Sequence, residues 1–293
     1  MATHAPSAGP GGPLTIGMLQ PGAMGVTVAA SAIATGHRVI WAGDGRSAAS
    51  HRRADDAGLI DVNTLDAVCE SSDHIFSVCP PHAALAQAEA VIAAGFKGVF
   101  TDGNAVSPAT AAEVSALIEN AGCDYVDGGI IGPPAHQPGS TRMYLSGPRA
   151  TSVATLLTGG LLPGIAISER CGDASALKMA YASFTKGTSA LLLATRAMAR
   201  AYNVESHLLD EWTLSQPDLP DRCQGEGRVA AKKAWRFSGE MREIADSMQA
   251  VQLPADFHLG AADLYDRLEQ FRSGEQLPAL DDVLDALLNG STR

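Results

Sequence analysis

The sequence is poor in charged residues, in aromatic residues and in long apolar runs. Of its 293 residues, 18% are charged and 5% are aromatic. No run reaches the ~18 consecutive apolar residues that a membrane span requires. The cysteines show neither a Cys-x-x-Cys pair nor zinc-ligand spacing, which predicts reduced thiols in a cytoplasmic protein and no metal site; they are Cys69, Cys79, Cys123, Cys171 and Cys223.

Positive charge is also scarce. Lys and Arg total 21 against 32 Asp and Glu, so the formal net charge is -11. No basic stripe offsets this charge, which argues against a nucleic-acid-binding surface. Residues 1–13 are rich in Ala, Gly and Pro and lack the apolar core of a signal peptide, so we predict a disordered N-terminal tail.

Short apolar runs alternate with helical segments through the first half of the chain. The runs predict strands at residues 14–19, 37–42, 74–79, 99–102, 124–127, 142–146 and 165–168. Helical segments separate several of them, for example at 25–35, 81–94 and 107–121. This alternation is typical of β-α-β units, so we predict a doubly wound α/β domain with a mostly parallel Rossmann-type sheet over residues 14–169.

Beyond residue 169 the pattern is helical. Residues 174–199 contain no proline and are dominated by Leu, Met and Ala. A helix of this length that is apolar on more than one side is usually buried in a bundle or at a subunit interface. Further helical segments are predicted at 205–214, 227–248, 257–271 and 280–288, with breaks at Pro217, Pro220 and Pro254. We predict an all-α domain over residues 170–293 that forms a homodimer through its helices.

A glycine-containing turn follows the first predicted strand. Residues 17–25 read Gly-Met-Leu-Gln-Pro-Gly-Ala-Met-Gly and lead into an Ala-rich helix. Such a turn lets backbone N–H groups at a helix N-terminus approach a pyrophosphate. The strict pattern has a glycine where this chain has glutamine, so an ordinary strand–helix turn is the alternative. We interpret the loop as a dinucleotide-binding loop formed by Gln20, Pro21, Gly22, Ala23 and Met24.

The choice between NAD and NADP is expected just after the second strand. An acidic residue there binds the ribose hydroxyls of NAD, and a basic residue accepts the 2′-phosphate of NADP. The chain offers both, as Asp44 and Arg46, followed by Ser47. A guanidinium and a hydroxyl on flexible backbone suit a phosphate. We therefore favour NADP(H), with NAD(H) possible, and assign Arg46 and Ser47 to cofactor binding.

Five segments resemble motifs of the β-hydroxyacid dehydrogenase superfamily, which includes 3-hydroxyisobutyrate and 6-phosphogluconate dehydrogenases. Residues 22–25 resemble the family's phosphate loop, and residues 78–81 resemble the loop that passes the nicotinamide ribose. Residues 102–108 resemble an Asp-x-Ser/Thr-x-x-Ser-Pro stretch, and residues 125–132 resemble a substrate segment that ends in Ser-Gly-Gly. Residues 172–178 resemble a Gly-x-x-x-x-x-Lys element. The resemblance covers about residues 14 to 200. The rest is similar to a divergent branch with its own C-terminal helical domain, whose signatures resemble residues 178–181 and 234–241.

The resemblance implies that Lys178 is the catalytic acid/base. A lysine can remove the hydroxyl proton during hydride transfer from an alcohol, or protonate the carbonyl oxygen in the reverse direction. A surface lysine on the long helix is the alternative. The resemblance also places Cys79, Pro80 and Pro81 beside the nicotinamide ribose. Asn104 is a candidate for binding that ribose or the substrate oxygen, with a turn-forming asparagine as the alternative.

Two positions depart from the family pattern. Ile131 stands at the substrate-binding serine, and prolines follow Gly132. Ala182 stands where an asparagine usually follows the catalytic lysine by one helical turn. Since both missing groups would hold a carboxylate-bearing substrate, the substrate itself is left open. We keep Ile131, Gly132 and Pro133 as candidate substrate-binding residues.

Further substrate contacts are predicted on the helices. Helical spacing places Tyr181, Thr185 and Lys186 near the face of Lys178, where Lys186 would bind a carboxylate or phosphate or instead be a solvent-facing charge. Trp235 and Glu240 are candidates on a later helix, where an ion pair between Arg236 and Glu240, one turn apart, is the alternative explanation.

These observations predict a cytoplasmic NAD(P)-dependent dehydrogenase acting on a small molecule. The predicted reaction is reversible hydride transfer between a hydroxyl carbon of a hydroxyacid-like substrate and its carbonyl, with Lys178 as general acid/base. One alternative is reduction of C=N bonds, as in a related imine reductase branch that typically lacks this lysine. The other is a dinucleotide-binding sensor without turnover, which would have no need for Lys178.

Overall fold

The computed structural model describes residues 12–273 and 276–290. Its contacts divide the chain into two compact units, the first ending at Lys178 and the second beginning at Met179. The sequence prediction places this boundary at residue 169, shortly before the helix that contains both residues. Most of the predicted tail, residues 1–11, lies outside the described residues.

The first unit contains one eight-stranded sheet, which confirms the predicted fold class. Its strands are β1 (Thr15–Met18), β2 (Arg38–Trp41), β3 (Ile60–Asp61), β4 (His74–Ser77), β5 (Val99–Asp102), β6 (Asp124–Ile131), β7 (Arg142–Ser146) and β8 (Gly164–Ser168). The strand order is β3-β2-β1-β4-β5-β6-β7-β8. Every pairing is parallel except that of β6 with β7, which is antiparallel.

Helices connect the strands and bury the sheet. They are α1 (Gly25–Ala34), α2 (Ala48–Asp56), α3 (Leu65–Ser71), α4 (Ala84–Ala93), α5 (Pro108–Asn120) and α6 (Ala150–Thr155). One apolar cluster joins α1 and α6 to the sheet, and a second joins α3, α4 and α5 to it. Because helices cover both faces, a central strand such as β4 is buried at every position, including the polar His74 and Ser77 at its ends.

Four elements of this unit were not predicted from the sequence, and one strand is longer than predicted. β3 has two residues, both exposed, and α2 has only one buried residue, so neither shows a clear apolar pattern. The other missed elements, α3 and α6, have seven and six residues. β6 continues four residues beyond the predicted end at Asp127. The prediction ended there because Gly128 and Gly129 follow, and both glycines lie within the strand.

The second unit is helical. α7 (Asp173–Ala201) runs into it from the first unit, and is followed by α8 (Glu205–Ser215), α9 (Leu219–Ala250), α10 (Asp256–Asp266) and α11 (Leu280–Asn289). The predicted helix at 257–271 is instead α10 followed by a short 3-10 helix, Glu269–Ser273. The predicted break at Pro220 is wrong: this proline lies in the first turn of α9, where its missing N–H needs no partner.

All five cysteines are free thiols. Within residues 12–273 and 276–290, no helix combines the length and the apolar character that crossing a membrane would demand.

Candidate cofactor and active site

The turn between β1 and α1 is shaped by two glycines. A Cβ at Gly25 would lie 2.1 Å from the carbonyl oxygen of Gln20, so only glycine fits at the start of α1. A Cβ at Gly22 would meet no described atom within 4 Å, so the turn is open at that point. An open turn at a helix N-terminus fits a pyrophosphate, whose charge the exposed N–H groups stabilise.

Gln20, which replaces the first glycine of the strict pattern, is held in place by a side-chain hydrogen bond. Its side-chain amide donates a hydrogen bond to Gln87 of α4. Its own Oε1 is buried and accepts no hydrogen bond from any described residue. A buried acceptor without a donor costs about 1–3 kcal/mol, so this oxygen is suited to receive an N–H or O–H group of a bound ligand.

Two guanidinium groups lie against this loop. Arg46 donates from Nη2 to the carbonyl oxygen of Leu19 at 3.3 Å. Arg53, on α2, donates from Nε to the carbonyl oxygen of Pro21 at 3.2 Å. Arg46 was predicted from the sequence, whereas Arg53 was not, because α2 was not predicted. The pair supplies the positive charge that a phosphate-bearing cofactor requires.

The residues around Arg46 have structural roles that the sequence did not reveal. Ser47 is the N-cap of α2, and its hydroxyl accepts a hydrogen bond from the Ser50 N–H. A carboxylate also hydrogen-bonds to the backbone just after β2: Asp61 Oδ1 accepts from the Gly43 N–H at 2.9 Å. A Cβ at Gly43 would lie 2.0 Å from Asp61 Oδ2. Asp61 was missed because β3, which it ends, has no apolar pattern.

Asn104 connects the ends of β4 and β5. Its Oδ1 accepts from the Cys79 N–H at 2.5 Å, and its Nδ2 donates to Ser77 Oγ at 3.3 Å. Its own N–H donates to Asp102 Oδ1 at 2.9 Å. The amide therefore fixes the loop after β4, and its predicted contact with the ribose or the substrate oxygen stays a prediction.

The loop after β4 contains Cys79 and turns at the two prolines that follow it. Pro80 has extended backbone, and the buried Pro81 starts a short 3-10 helix, Pro81–Ala83. Burial and the nearby carboxylate of Asp102 raise the pKa of the Cys79 thiol to about 12. The side chain is therefore an uncharged thiol at neutral pH.

Lys178 lies in the second turn of α7, beside the end of β6. Its Nζ donates a hydrogen bond to the carbonyl oxygen of Ile130 at 2.7 Å, and the side chain is half-buried. The helix and strand approach closely because Gly129 has no side chain: a Cβ there would lie 2.9 Å from Lys178 Cβ and 2.7 Å from the Ala174 carbonyl oxygen. The amine is thus fixed next to the segment predicted to bind substrate.

Asp127 anchors the beginning of α7. Its buried Oδ2 accepts from Ser146 Oγ at 2.8 Å, from the Ser175 N–H at 2.9 Å and from the Gly172 N–H at 3.1 Å. Its Oδ1 accepts from Ser175 Oγ at 2.5 Å. A carboxylate at a helix N-terminus is stabilised by the helix dipole and the exposed N–H groups. Asp127 lies in the predicted substrate segment, residues 125–132, but its spacing in the sequence did not predict this anchoring role.

The segment after Ile130 is fixed by burial, by a close backbone approach and by a hydrogen bond. Ile131 is buried at the end of β6. Gly132 has φ +127°, and a Cβ there would lie 2.3 Å from the Ser140 carbonyl oxygen. The carbonyl oxygen of Pro133 accepts a hydrogen bond from Thr141. The isoleucine that replaces the family's serine thus presents no hydroxyl, and its side chain belongs to the interior.

In the second unit, Lys186 and Glu240 form an ion pair. Their side chains are 14% and 9% exposed, and Lys186 Nζ lies 4.7 Å from the centroid of the Phe237 ring. The alternative of a solvent-facing Lys186 is therefore wrong. The Arg236–Glu240 pair is also wrong: among the described residues Arg236 forms no ion pair, and its Nε is buried without an acceptor.

The remaining candidates make local contacts within the second unit. The Trp235 ring stacks against the Arg272 guanidinium at 4.4 Å. Tyr181 is half-exposed, and the Thr185 hydroxyl donates to its carbonyl oxygen within α7. A pair that the sequence analysis missed is Ser183 Oγ and His258 Nε2, 2.8 Å apart. Burial lowers the pKa of His258, so its ring is neutral at pH 7.

The described residues contain no group of three His, Cys, Asp or Glu side chains that could hold a metal ion. The observations that fit a dinucleotide are the open turn at Gly22, the buried Gln20 oxygen and the two guanidinium groups.

Comparisons with known proteins identify the two parts of the chain. Residues 15–156 match the NAD binding domain of 6-phosphogluconate dehydrogenase. Residues 199–268 match a domain of unknown function, DUF1932. A relative from Methanothermus fervidus, an uncharacterized 28.5 kDa protein, is 29% identical over 57% of this chain, and the match spans 63% of that relative's length.

Two solved structures show the same fold over most of the chain. One is a conserved protein of unknown function reported to be structurally similar to 3-hydroxyacid dehydrogenases, with 28% identity, a TM-score of 0.65, and coverage of 88% of this chain and 98% of that one. The other is Mycobacterium tuberculosis 3-hydroxyisobutyrate dehydrogenase, with 19% identity, a TM-score of 0.66, and coverage of 94% and 99%. The first part of the chain is therefore similar to the NAD binding domain of 6-phosphogluconate dehydrogenase and a later part to DUF1932, in a fold shared with 3-hydroxyisobutyrate dehydrogenase.

Proposed function

We propose that this protein is an NAD(P)-dependent oxidoreductase for a hydroxyacid-like small molecule. The reaction is reversible hydride transfer between a hydroxyl carbon and the corresponding carbonyl. The observation that carries the proposal is the position of the Lys178 amine, held by the Ile130 carbonyl in the same unit as the NAD-binding fold. A non-catalytic dinucleotide-binding protein has no requirement for an amine fixed in this way.

The chain's own residues divide into cofactor-binding and proton-transfer groups. The loop of Gln20, Pro21, Gly22, Ala23 and Met24 receives the pyrophosphate, and the guanidinium groups of Arg46 and Arg53 favour NADP(H) over NAD(H). When bound, the nicotinamide supplies the hydride acceptor in oxidation and the hydride donor in reduction. Lys178 takes the hydroxyl proton from the substrate in oxidation and returns a proton to the carbonyl oxygen in reduction.

The substrate-binding residues also remain proposals. In the first unit they are Ile131, Gly132 and Pro133, and in the second they are Tyr181, Thr185, Lys186, Trp235 and Glu240. Lys186 already neutralises Glu240, which lowers its value as the binding group for an anion. Arg236, with its buried and unsatisfied Nε, is the better candidate for a carboxylate in this unit.

The second candidate function is reduction of a C=N bond. Two features favour it: no hydroxyl at Ile131 and no amide at Ala182, so both expected carboxylate contacts are missing. Lys178 argues against it, since the imine-reducing branch that this chain resembles typically lacks that lysine.

The free thiols of the described cysteines support a cytoplasmic location. The exposed apolar side of α7 supports a homodimer formed through the C-terminal helices.

Turnover by the full-length protein decides between these functions. We would measure NADPH and NADH oxidation with keto acids, aldehydes and cyclic imines for wild type, Lys178→Ala and Lys97→Ala. Lys97 is the matched control because it also donates to a backbone carbonyl, that of Ala121 at 2.6 Å, but is exposed. We expect kcat/KM to fall roughly 10²–10⁴-fold for Lys178→Ala alone, with unchanged NADPH affinity.

Other outcomes have equally definite meanings. Equal turnover in wild type and Lys178→Ala contradicts the acid/base role. Tight NADPH binding with no turnover of any compound supports the sensor. Turnover confined to cyclic imines supports C=N reduction.

A further inference from the structure

Two cationic side chains of α9 lie three residues apart and have no carboxylate partner. They are Lys233 and Arg236, and both are partly buried. Among the described residues neither of them forms an ion pair. The carboxylate one turn further along α9, that of Glu240, pairs with Lys186 instead. We call Lys233 and Arg236 the α9 cation pair.

Burial affects both members of the pair. The Nε atom of Arg236 is fully buried and finds no hydrogen-bond acceptor among the described residues. Burial lowers the pKa of the Arg236 guanidinium, and burial together with the charge of Arg236 lowers the pKa of the Lys233 amine. A cation that leaves water without a counterion destabilises the folded state. A bound anion would relieve this cost for both side chains.

The guanidinium of the pair lies beside an aromatic ring and next to open space. Arg236 Cζ is 5.7 Å from the centroid of the Phe237 ring, which packs edge-on against Tyr265 at 5.5 Å between ring centroids. Gly239 follows Arg236 by three residues and lies on the same side of α9. A Cβ at Gly239 would meet no described atom within 4 Å. A small ligand therefore has room beside the guanidinium.

Charge and geometry decide which anion fits. A guanidinium donates two parallel N–H groups to a carboxylate or a phosphate, and an ammonium acts as a point charge. Side chains three residues apart on a helix start only about 5–6 Å from each other, so their charged groups can meet on one ligand. A carboxylate would neutralise only one of the two cations. A phosphate group carries about −1.5 to −2 charges at pH 7 and matches the pair.

We propose that the α9 cation pair binds a tetrahedral oxyanion with two negative charges, either free phosphate or a phosphate or phosphonate group of an organic molecule. Arg236 is the bidentate donor, and Lys233 neutralises the remaining charge. The carboxylate contact proposed above for Arg236 uses one cation, whereas this site uses both and selects for a dianion. Binding at this site does not depend on hydride transfer, so the two proposals fail separately.

Anion binding to the full-length protein tests the site. Isothermal titration calorimetry with inorganic phosphate, at constant ionic strength, would compare wild type, Lys233→Met and Arg236→Met. We expect each substitution to raise the Kd for phosphate at least about tenfold, as for loss of one hydrogen bond to a charged group. The control is Lys232→Met, the adjacent lysine, whose Nζ donates to the Arg272 carbonyl oxygen at 3.3 Å. Equal phosphate affinity in all four proteins overturns the proposal.

The dinucleotide loop is a second place where phosphate could bind, so its contribution is measured separately. In Arg46→Ala we expect the Kd for phosphate to be unchanged. Loss of phosphate binding in this variant, with binding retained in Arg236→Met, places the anion at the loop and overturns the proposal. Thermal unfolding adds a check on folding: phosphate is expected to raise the Tm of wild type and not that of Arg236→Met.

Gly239 allows a test that adds a charge instead of removing one. Gly239→Glu places a carboxylate beside Arg236, and Gly239→Gln is its uncharged match in size. Since a Cβ at this position has room, we expect both variants to fold. We expect Gly239→Glu to bind phosphate at least about tenfold more weakly than Gly239→Gln, because its carboxylate competes for the guanidinium. Equal phosphate affinity in the two variants contradicts the site.

A comparison of anions tests the preference for a dianion and separates its sources. Acetate that binds wild type as tightly as phosphate overturns the proposal. Tighter binding of glycerol phosphate than of inorganic phosphate assigns the site to a group carried by an organic molecule, and the reverse order assigns it to free phosphate. Phosphate binding at the pair without turnover of any substrate would leave this site standing and remove only the proposed hydride transfer.

Discussion

The Nζ atom of Lys178 lies 2.7 Å from the carbonyl oxygen of Ile130, so the amine of a helix is held by the backbone of a neighbouring strand. This contact depends on two other residues. Gly129 lets the strand approach the helix, and Asp127 fixes where the helix begins. The position of the proposed acid/base is therefore determined by three residues of β6.

Gly129→Ala is expected to separate α7 from β6. The new Cβ would lie 2.7 Å from the Ala174 carbonyl oxygen, which is backbone and has little freedom to yield. Overpacking of this kind lowers the free energy of unfolding by about 1–3 kcal/mol. Thermal unfolding and turnover would be measured together, and we expect kcat to fall while NADPH affinity is retained.

The control for Gly129→Ala is Gly225→Ala. Gly225 is exposed within α9, and a Cβ there meets no described atom within 4 Å. This change should leave stability unchanged or raise it by up to about 1 kcal/mol, the helix-propensity difference between Gly and Ala. Equal effects of the two substitutions would contradict the importance of close packing at Gly129.

Asp127→Asn is expected to destabilise the start of α7. The carboxylate accepts four hydrogen bonds, and an amide in its place turns an N–H₂ group towards some of those donors. Leaving buried donors unsatisfied should cost about 2–4 kcal/mol of unfolding free energy, as measured by denaturant titration. Asp124→Asn, in the same strand but exposed and paired only at 3.7 Å with Arg149, should cost less than about 0.5 kcal/mol.

Arg46→Ala and Arg53→Ala are expected to weaken NADPH binding. Both guanidinium groups lie against the dinucleotide loop, and loss of one hydrogen bond to a charged group corresponds to roughly tenfold or more in Kd. Fluorescence titration would compare NADPH with NADH, and we expect the larger loss for NADPH. Arg52→Ala, exposed between them in sequence, is the control. Equal losses for both cofactors would assign these arginines to the pyrophosphate that the two share.

His74 is expected to make stability fall in weak acid. Burial lowers its pKa from 6.5 to about 3. Between these values the unfolded chain binds a proton at His74 and the folded chain does not, so unfolding is favoured as the pH falls. At pH 5 this amounts to about 2 kcal/mol. His74→Gln, which keeps a side-chain nitrogen for the hydrogen bond to Thr101, should lose that part of the pH dependence. Identical pH dependence of unfolding in the two proteins would contradict the assignment.

The sequence was most informative where one local pattern determined the structure. Val99–Asp102 and the start of α1 at Gly25 are found as predicted, because a short strand between two helical segments is typical of β-α-β units and a glycine turn marks the helix that follows. The pattern failed at α2 and β3, whose residues are mostly exposed. Arg53 and Asp61 were missed for that reason, although both lie beside the turns that follow β1 and β2.

The amino-acid sequence by itself determined the Rossmann-type sheet and the helical C-terminal part, since each depends on residues close together in the chain, and it predicts the dinucleotide loop and the role of Lys178. Only the tertiary structure decided how these residues are used. Glu240 pairs with Lys186, more than fifty positions away, rather than with Arg236 one turn before it. The Lys178 amine binds the carbonyl of Ile130, forty-eight positions earlier. Side-chain partners of this kind are set by which strands and helices pack together, and sequence spacing does not encode that choice.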